Sequence, residues 1–355
     1  MVSRRSFIKT VSAAASLIGL GQTAQASLPD GFYVPPEEDR HELCFMQWPV
    51  TREIYPTRDD RDYIQEVIAR IANTISEFEP VVMLADKSQH KAARRMLGRG
   101  VALWDIATDD LWCRDSGPLV AVNNAGDRAV SGIQFNGWGD RYKLPNDRRV
   151  SARVAEHLGV PHYASAVIGE AGGAEANGHG RVLANESSWI NRNRNPGASK
   201  ATITQQLKEA YGADQVIWGP GVAGLDVTDD HIDGVARFTG RNSVLFNGEI
   251  PADPQDPFGV AAEQLFQNMR QAALKVDVIP LPFEGRSEEP GAYVNYYVCN
   301  GGVVASQFGD RETDDIAYDA LKRHYPGREI IMLDTDALTE LGGGIHCATQ
   351  QLPAV

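Results

Sequence analysis

A helix that runs straight into a strand recurs five times along these 355 residues, and each time a loop rich in glycine or acidic residues follows. Ile64, Val67, Ile68, Ile71 and Ile75 fall three and four residues apart, which predicts a helix over 62–77, and 80–84 then reads as a buried strand. The second unit pairs a helix over 148–158 with a strand over 162–168. In the third, Ser199 caps a helix that continues to Tyr211, ahead of a strand over 215–218. The fourth combines 258–274 with 276–281. The fifth starts after Thr313, with Asp314 and Asp315 in the first turn where carboxylates suit the helix dipole, and leads to 328–333. The loops that follow are LWCRDSGP, EAGGAE, DVTDDHID, SEEPGAY and GGGIHC.

At least three of these loops lead into alternating apolar segments that read as hairpins, for example 294–299, a turn at Asn300-Gly301-Gly302, and 303–306. Repeats of this kind bury a shared core around an axis and present equivalent loops at one end. A doubly wound α/β sheet would also alternate helix and strand, but it gives no reason for a hairpin after each unit. The early strand 43–48 is expected to complete the fifth unit. The fold class expected is therefore α/β, a single domain over 27–355.

The loops carry the chemistry. Cys347 lies just past Gly342, Gly343 and Gly344, and a thiol near a protonated imidazole or a bound cation gains thiolate character. Reading His346 and Cys347 as metal ligands fails, because neighbouring side chains rarely point the same way and no C-x-x-C or H-E-x-x-H partner exists. No metal or cofactor is expected. His231 and Asp233 are spaced so that on an extended segment both face one way. Asp115 sits in a turn-forming sequence that can aim a carboxylate inward, and neighbouring Arg114 should face away from it. Trp112 either stacks on a flat cation or simply packs. A thiol, an imidazole and two carboxylates suffice to attack a planar guanidinium carbon: the carboxylates hold the cation, the thiolate attacks and the imidazole handles the leaving ammonia.

Through HELCFMQWP, LWCRDSGP, FNGWG, NRNP, TDDHID, QFGD and GGGIHCATQQ, from about Glu42 to Pro353, the chain resembles the agmatine deiminase family of the guanidino-group-modifying (pentein) superfamily, which also includes the bacterial peptidylarginine deiminases. The resemblance implies a five-bladed pseudosymmetric ββαβ propeller. It implies His231 as the acid for ammonia and then the base for water, Asp233 and Asp115 as guanidinium clamps, and Glu170 as the carboxylate that orients the histidine, with Glu175 as the alternative. It also implies agmatine, converted to N-carbamoylputrescine, ahead of peptidylarginine as substrate. The chain departs from the family pattern at Gly344, at Asp230, and over Gly291-Ala292-Tyr293. Glu288 and Glu289, before that last run, would neutralise a distal ammonium if their loop overhangs the site. A binding protein for cationic amines, using Asp115 and Asp233 without turnover, would have no need of Cys347 and His231.

The first residues are read as an export signal. Arg4 and Arg5 precede Ser6-Phe7-Ile8-Lys9, an apolar run from Val11 to Gly21, and a small-residue cleavage site at Ala24-Gln25-Ala26, a pattern similar to twin-arginine leaders. The apolar run is about half the length of a membrane span. Removing residues 1–26 takes away three cations and no acid, so the mature chain is more negative still than the −13 of the full sequence. Such a field disfavours nucleic acid and anionic lipid and favours small cations. The expectation is a periplasmic protein, soluble after processing, with a small cationic guanidino substrate and an open question of homo-oligomerisation. Folding before export would leave Cys44, Cys113, Cys299 and Cys347 without a disulfide framework, with Cys44 and Cys299 as core residues and Cys113 undecided.

Overall fold

In the computed structural model, residues 27–282 and 291–355 are described. Among them, sixteen strands make five separate sheets, and each sheet is one repeat. In every repeat two strands pair antiparallel, a helix crosses back, and a third strand pairs parallel to the second. The first such blade consists of Leu119–Val122, Arg128–Gln134, helix Val150–Leu158 and His162–Ile168. The second uses Ala174–Ala176, Arg181–Asn185, helix Lys200–Tyr211 and Gln215–Gly219. The third uses Ala236–Gly240, Ser243–Asn247, helix Pro257–Gln271 and Lys275–Ile279. The fourth uses Tyr297–Cys299, Gly302–Gln307, helix Arg311–His324 and Glu329–Asp334.

The fifth blade is assembled from both ends of the chain. Thr349–Pro353 pairs antiparallel with His41–Gln47, so that Met46 faces Thr349 and Cys44 faces Gln351. Helix Arg58–Ile75 and the parallel strand Val81–Ala85 complete it, and Val101–Asp105 adds a fourth strand with no counterpart elsewhere. The five-bladed ββαβ propeller, and the closure of the ring by the early strand, are as the sequence leads one to expect. Among the described residues no helix is long and apolar enough to cross a membrane.

Boundaries moved where capping chemistry decided them. The first helix starts at Arg58, four residues before the expected start at 62, because Thr57 accepts from the Asp60 amide while the Asp60 side chain reaches back to Thr57. The fifth starts at Arg311 rather than after Thr313, since the Asp310 side chain caps the Thr313 amide. The fourth likewise starts at Asp256-Pro257 and stops at Gln271. In the 294–299 segment only Tyr297–Cys299 is strand, because residues before it form a turn in which the Asn295 amide bonds Ala292 O and the Tyr293 amide bonds Asn247 Oδ1 of the preceding blade.

Each helix buries its apolar face against its own sheet and also against the blade before it. Ile203 and Leu207 of the second helix cluster with Leu119 and Ala121 of the first blade. Leu265 and Met269 cluster with Leu183 and Ile217, and Ala317 and Leu321 with Leu245 and Ile279. Ile64, Ile68 and Ile71 meet Tyr297 and Val304, and Val150 and Val154 meet Phe45 and Leu84, which closes the circle. No blade therefore owns its core.

A buried polar knot reinforces the seam between the fourth and fifth blades. Both oxygens of Glu79 stand 3.2 Å from His41 Nδ1, and the carboxylate accepts from Tyr297 Oη at 2.7 Å and from the Asn300 amide at 2.8 Å. Tyr297→Phe keeps the ring and removes one donor to a buried carboxylate. It should lower unfolding free energy by about 1.5–3 kcal/mol in urea denaturation, since hydrogen bonds to charged groups are worth that much.

Candidate active site

The loops at one end of the propeller bring Asp115, Glu170, His231, Asp233 and Cys347 together, all buried. Three of them meet at Gly172. A Cβ on that glycine would lie 2.7 Å from Asp115 Oδ1, 3.0 Å from His231 Nδ1 and 3.1 Å from Asp233 Oδ2. Three charged groups from two different loops thus converge on a patch of bare backbone, and only glycine leaves room for them.

The local backbone differs from the expected turns and extended segments. Asp115 lies in a one-turn helix, Cys113–Ser116, anchored by a bond from the Arg114 amide to Cys347 O at 3.0 Å. His231 is extended, but Asp233 falls in the 3₁₀ turn Ile232–Gly234 that follows. Just before His231 the chain turns through positive φ at Asp229 and Asp230, 60° and 67°. Their side chains hold the strained turn: Asp229 takes Arg194 Nη1 at 2.6 Å and the Gly224 amide at 2.7 Å, and Asp230 takes the Val222 amide at 3.1 Å.

Glu170 orients the imidazole, with Oε2 at 3.2 Å from His231 Nε2. Glu175 is engaged elsewhere, 3.0 Å from Arg237 Nε and accepting from the Phe238 amide. Arg194, wholly buried, bridges Glu170 and Asp229 and so fixes the histidine's partner and the loop that carries the histidine. The other ring nitrogen, His231 Nδ1, is buried without a hydrogen bond and stands 3.8 Å from Asp115 Oδ1. Burial disfavours the imidazolium, but the charge of Asp115 and the bond to Glu170 outweigh it and raise the His231 pKa to about 9. Burial raises Asp115 to about 6, with the proximity of Asp233 and Glu170 adding to the effect and His231 and the Trp138 bond opposing it. Asp233 is held below its ordinary value, because the hydrogen bond and charge of His346 overcome its burial.

Cys347 Sγ donates toward Asp233 Oδ2 at 3.4 Å and accepts from Asn295 Nδ2 at 3.1 Å. Burial pushes its thiol well above the ordinary cysteine range, and Asp233 and Asp115 push it further. The site is therefore anionic around a neutral thiol. The glycines before Cys347 serve packing: a Cβ on Gly343 would meet the Trp112 ring at 2.5 Å and one on Gly344 the Asn295 amide at 2.5 Å. Trp112 lies on that backbone in the same apolar cluster as Cys347. Cys113 belongs to a different cluster, with Phe45 and Val120, and all four cysteines are free and buried.

Sequence reasoning assigned no role to several residues that build the site. Trp138 Nε1 donates to Asp115 Oδ2 at 2.9 Å, and His346 Nδ1 stands 2.7 Å from Asp233 Oδ2. Trp138 and Arg194 lie inside FNGWG and NRNP, two of the segments that carried the resemblance, so their position in those motifs was the available signal. His346 was weighed only as a metal ligand. Among the described residues no group of three or more His, Cys, Asp or Glu side chains is disposed to hold a metal ion. Glu288, Glu289 and the leader over 1–26 lie outside the described residues.

A five-bladed propeller whose loops gather a cysteine, a histidine and carboxylates at one end defines a guanidino-group-modifying enzyme. The sequence profile of the Porphyromonas-type peptidyl-arginine deiminases matches residues 33–353, and the chain belongs to that family. It is similar to the agmatine deiminase of Medicago truncatula, 31% identical over 92% of this chain and 97% of the relative. The solved agmatine deiminase of Enterococcus faecalis shares 26% identity, with 93% of this chain and 100% of that one covered and a TM-score of 0.84. A C. jejuni agmatine deiminase solved with substrate bound shares the fold at 24% identity and TM-score 0.79, covering 90% of this chain and 96% of its own.

Asp115 supplies the largest contribution that keeps His231 protonated. Asp115→Asn should therefore lower the imidazole pKa below about 9, visible as an acid shift in an NMR titration of the His231 ring.

Proposed function

We propose that this protein hydrolyses the guanidino group of a small cationic substrate, with agmatine as that substrate and N-carbamoylputrescine and ammonia as products. The convergence of Asp115, His231 and Asp233 on Gly172 with the Cys347 thiol beside Asp233 carries this reading. Relatives named agmatine deiminase, matched along almost their whole length, support the choice of substrate.

Two buried carboxylates facing one small space suit a planar cation, and each charge-assisted bond contributes about 1.5–3 kcal/mol. Substrate binding brings positive charge next to Sγ, so the cation that is to be attacked also favours release of the thiol proton to solvent, His231 being already protonated. The thiolate adds to the guanidinium carbon. His231, protonated in the resting state, gives its proton to the departing nitrogen, and ammonia leaves an amidino thioether on Cys347. The neutral imidazole then takes a proton from water as its oxygen attacks the same carbon; collapse expels the thiolate, which takes up the hydroxyl proton of the departing product, leaving a neutral ureido group and the resting thiol. Glu170, fixed by Arg194, keeps His231 aimed through both half-reactions.

Cys347→Ala should abolish ammonia release with the fold intact, and Asp233→Asn should raise the concentration of substrate needed at least tenfold, the equivalent of about 1.4 kcal/mol. Asp115 must be ionised to grip the cation and His231 protonated to release ammonia. kcat/KM should therefore fall below a limb near 6 and above one near 9, read from a pH–rate profile. A profile flat across both limbs would separate these groups from the reaction.

The family's name favours peptidylarginine as a second reading. Ammonia release from agmatine, free arginine and a blocked arginine peptide distinguishes the two, and faster turnover of the peptide would overturn the agmatine assignment. A binding protein would retain agmatine unchanged in the same assay. We further propose that the leader with Arg4 and Arg5 exports the folded enzyme to the periplasm, since a charged start, a short apolar run and a small-residue site follow in the right order. Substituting both arginines by lysine should strand the protein in the cytoplasm, and continued export would overturn that route.

A further inference from the structure

Asn295 makes four polar contacts with the residues around the thiol. Its Oδ1 accepts from the Cys347 amide at 3.2 Å, and its Nδ2 donates to Cys347 Sγ at 3.1 Å and to Asp233 O at 3.3 Å. Its backbone oxygen accepts from the His346 amide at 3.1 Å. The side chain is only 4% exposed, so water does not substitute for these partners. Its orientation is fixed by chemistry: an amide N–H of Cys347 must face oxygen and a carbonyl of Asp233 must face the NH₂ group, so the reversed amide would set donor against donor and acceptor against acceptor.

The surrounding chain holds Asn295 in this position. The turn that carries it is closed by its own amide to Ala292 O and anchored by the Tyr293 amide on Asn247 Oδ1 at 2.6 Å. The Asn295 side chain fills the space that a Cβ at residue 344 would need. Gly344 is thus the counterpart of Asn295, and the loop bearing the nucleophile folds around the amide.

We propose that Asn295 is a further catalytic residue, the hydrogen-bond donor that stabilises the Cys347 thiolate and aims it between the two carboxylates. This rests on the reading of Cys347 as the nucleophile. The bond to a neutral sulfur is weak, while the same bond to a thiolate is charge-assisted, so the contact favours the ionised form. It opposes burial and the neighbouring carboxylates, which favour the thiol. Asn295 transfers no proton. It offers the same N–H to sulfur before attack and again when the thiolate is expelled from the tetrahedral adduct.

Asn295→Asp keeps the acceptor for the Cys347 amide but turns an anionic oxygen toward Sγ. Asn295→Ala removes the donor without adding charge, and Gly344→Ala should displace the amide while leaving every polar group in the chain. The test is the pH dependence of Cys347 alkylation by iodoacetamide, site-resolved by mass spectrometry in the absence of substrate. Cys44, Cys113 and Cys299 serve as internal reporters, because they label only if the fold opens. The expected result is an alkaline shift of the labelling profile by at least one pH unit in Asn295→Asp, which is about a tenfold slower reaction at a fixed pH below the midpoint. A smaller shift in the same direction is expected in the two alanine variants, and kcat should fall more than KM rises. Wild-type labelling profiles in folded Asn295→Ala and Gly344→Ala would overturn the proposal. Turnover retained by Cys347→Ala would instead remove the nucleophile reading and leave the labelling result to stand separately.

Discussion

The carboxylate of Glu37, buried where the blades meet, is the contact on which the site most depends. It accepts from Arg114 Nη2 at 2.7 Å and from the Val298 amide at 2.8 Å, and it stands 3.1 Å from Arg237 Nη2 and 3.1 Å from His346 Nε2. Each of these lies next to or near a site residue: Arg114 precedes Asp115, His346 precedes Cys347, Arg237 follows Asp233 by four, and Val298 follows Asn295 by three. Adjacent side chains point apart, so a residue that reaches the hub sends its neighbour toward the site. Burial opposes the charge on Glu37, but Arg237, His346 and Arg114 hold its pKa well below the ordinary carboxylate value. Removing one partner from such a buried ionic cluster leaves an uncompensated charge, and penalties of that kind run to about 3–5 kcal/mol.

The blades transmit this precision because none can move alone. Each helix seals the gap between its own sheet and the preceding one, so the apolar contacts run around the ring without a free end. Closure falls to Thr349–Pro353, which begins two residues after Cys347 and zips onto His41–Gln47. The strand that completes the ring therefore also anchors the loop that bears Cys347. The Arg114 side chain stitches the same place by donating to Gln351 Oε1 at 2.9 Å and to His346 O at 3.3 Å. Stability and site geometry are coupled through shared residues.

Much of this was legible in the sequence. The five units, their order and the strand closing the ring follow from apolar periodicity and turn residues, which are local signals. Helix starts were misplaced by three or four residues where a side-chain cap outside the periodic run, Thr57 or Asp310, set the boundary. Asp115, His231, Asp233 and Cys347 could be picked out because their chemistry makes sense only together. The residues that hold them were harder to see. Glu37, Arg194, Trp138, Asn295 and His346 act through contacts between distant parts of the chain, such as Glu37 with Arg237 and Asn295 with Cys347, and no spacing along the sequence encodes these contacts. Glu170 and Glu175 looked alike in EAGGAE. The structure separates them because the two fall on either side of the Ala171–Gly173 turn, one toward His231 and the other toward Arg237.

The electrostatics of the site follow from how each of its carboxylates is compensated. Three carboxylates, Asp115, Glu170 and Asp233, crowd one imidazole, and of the three Glu170 is paired with a guanidinium, that of Arg194, which it shares with Asp229. Asp115 is left with an indole N–H and a backbone amide, and Asp233 with His346 and a thiol. Burial leaves Asp115 with a pKa raised to about 6, whereas His346 keeps Asp233 below its ordinary value, and the thiol beside them stays protonated. A neutral urea would supply neither the charge that the carboxylates lack nor the field that ionises the sulfur. Under the proposed function, a guanidinium and its ureido product differ in the charge they present to the two aspartates and the sulfur, so discrimination between them does not require a separate recognition element.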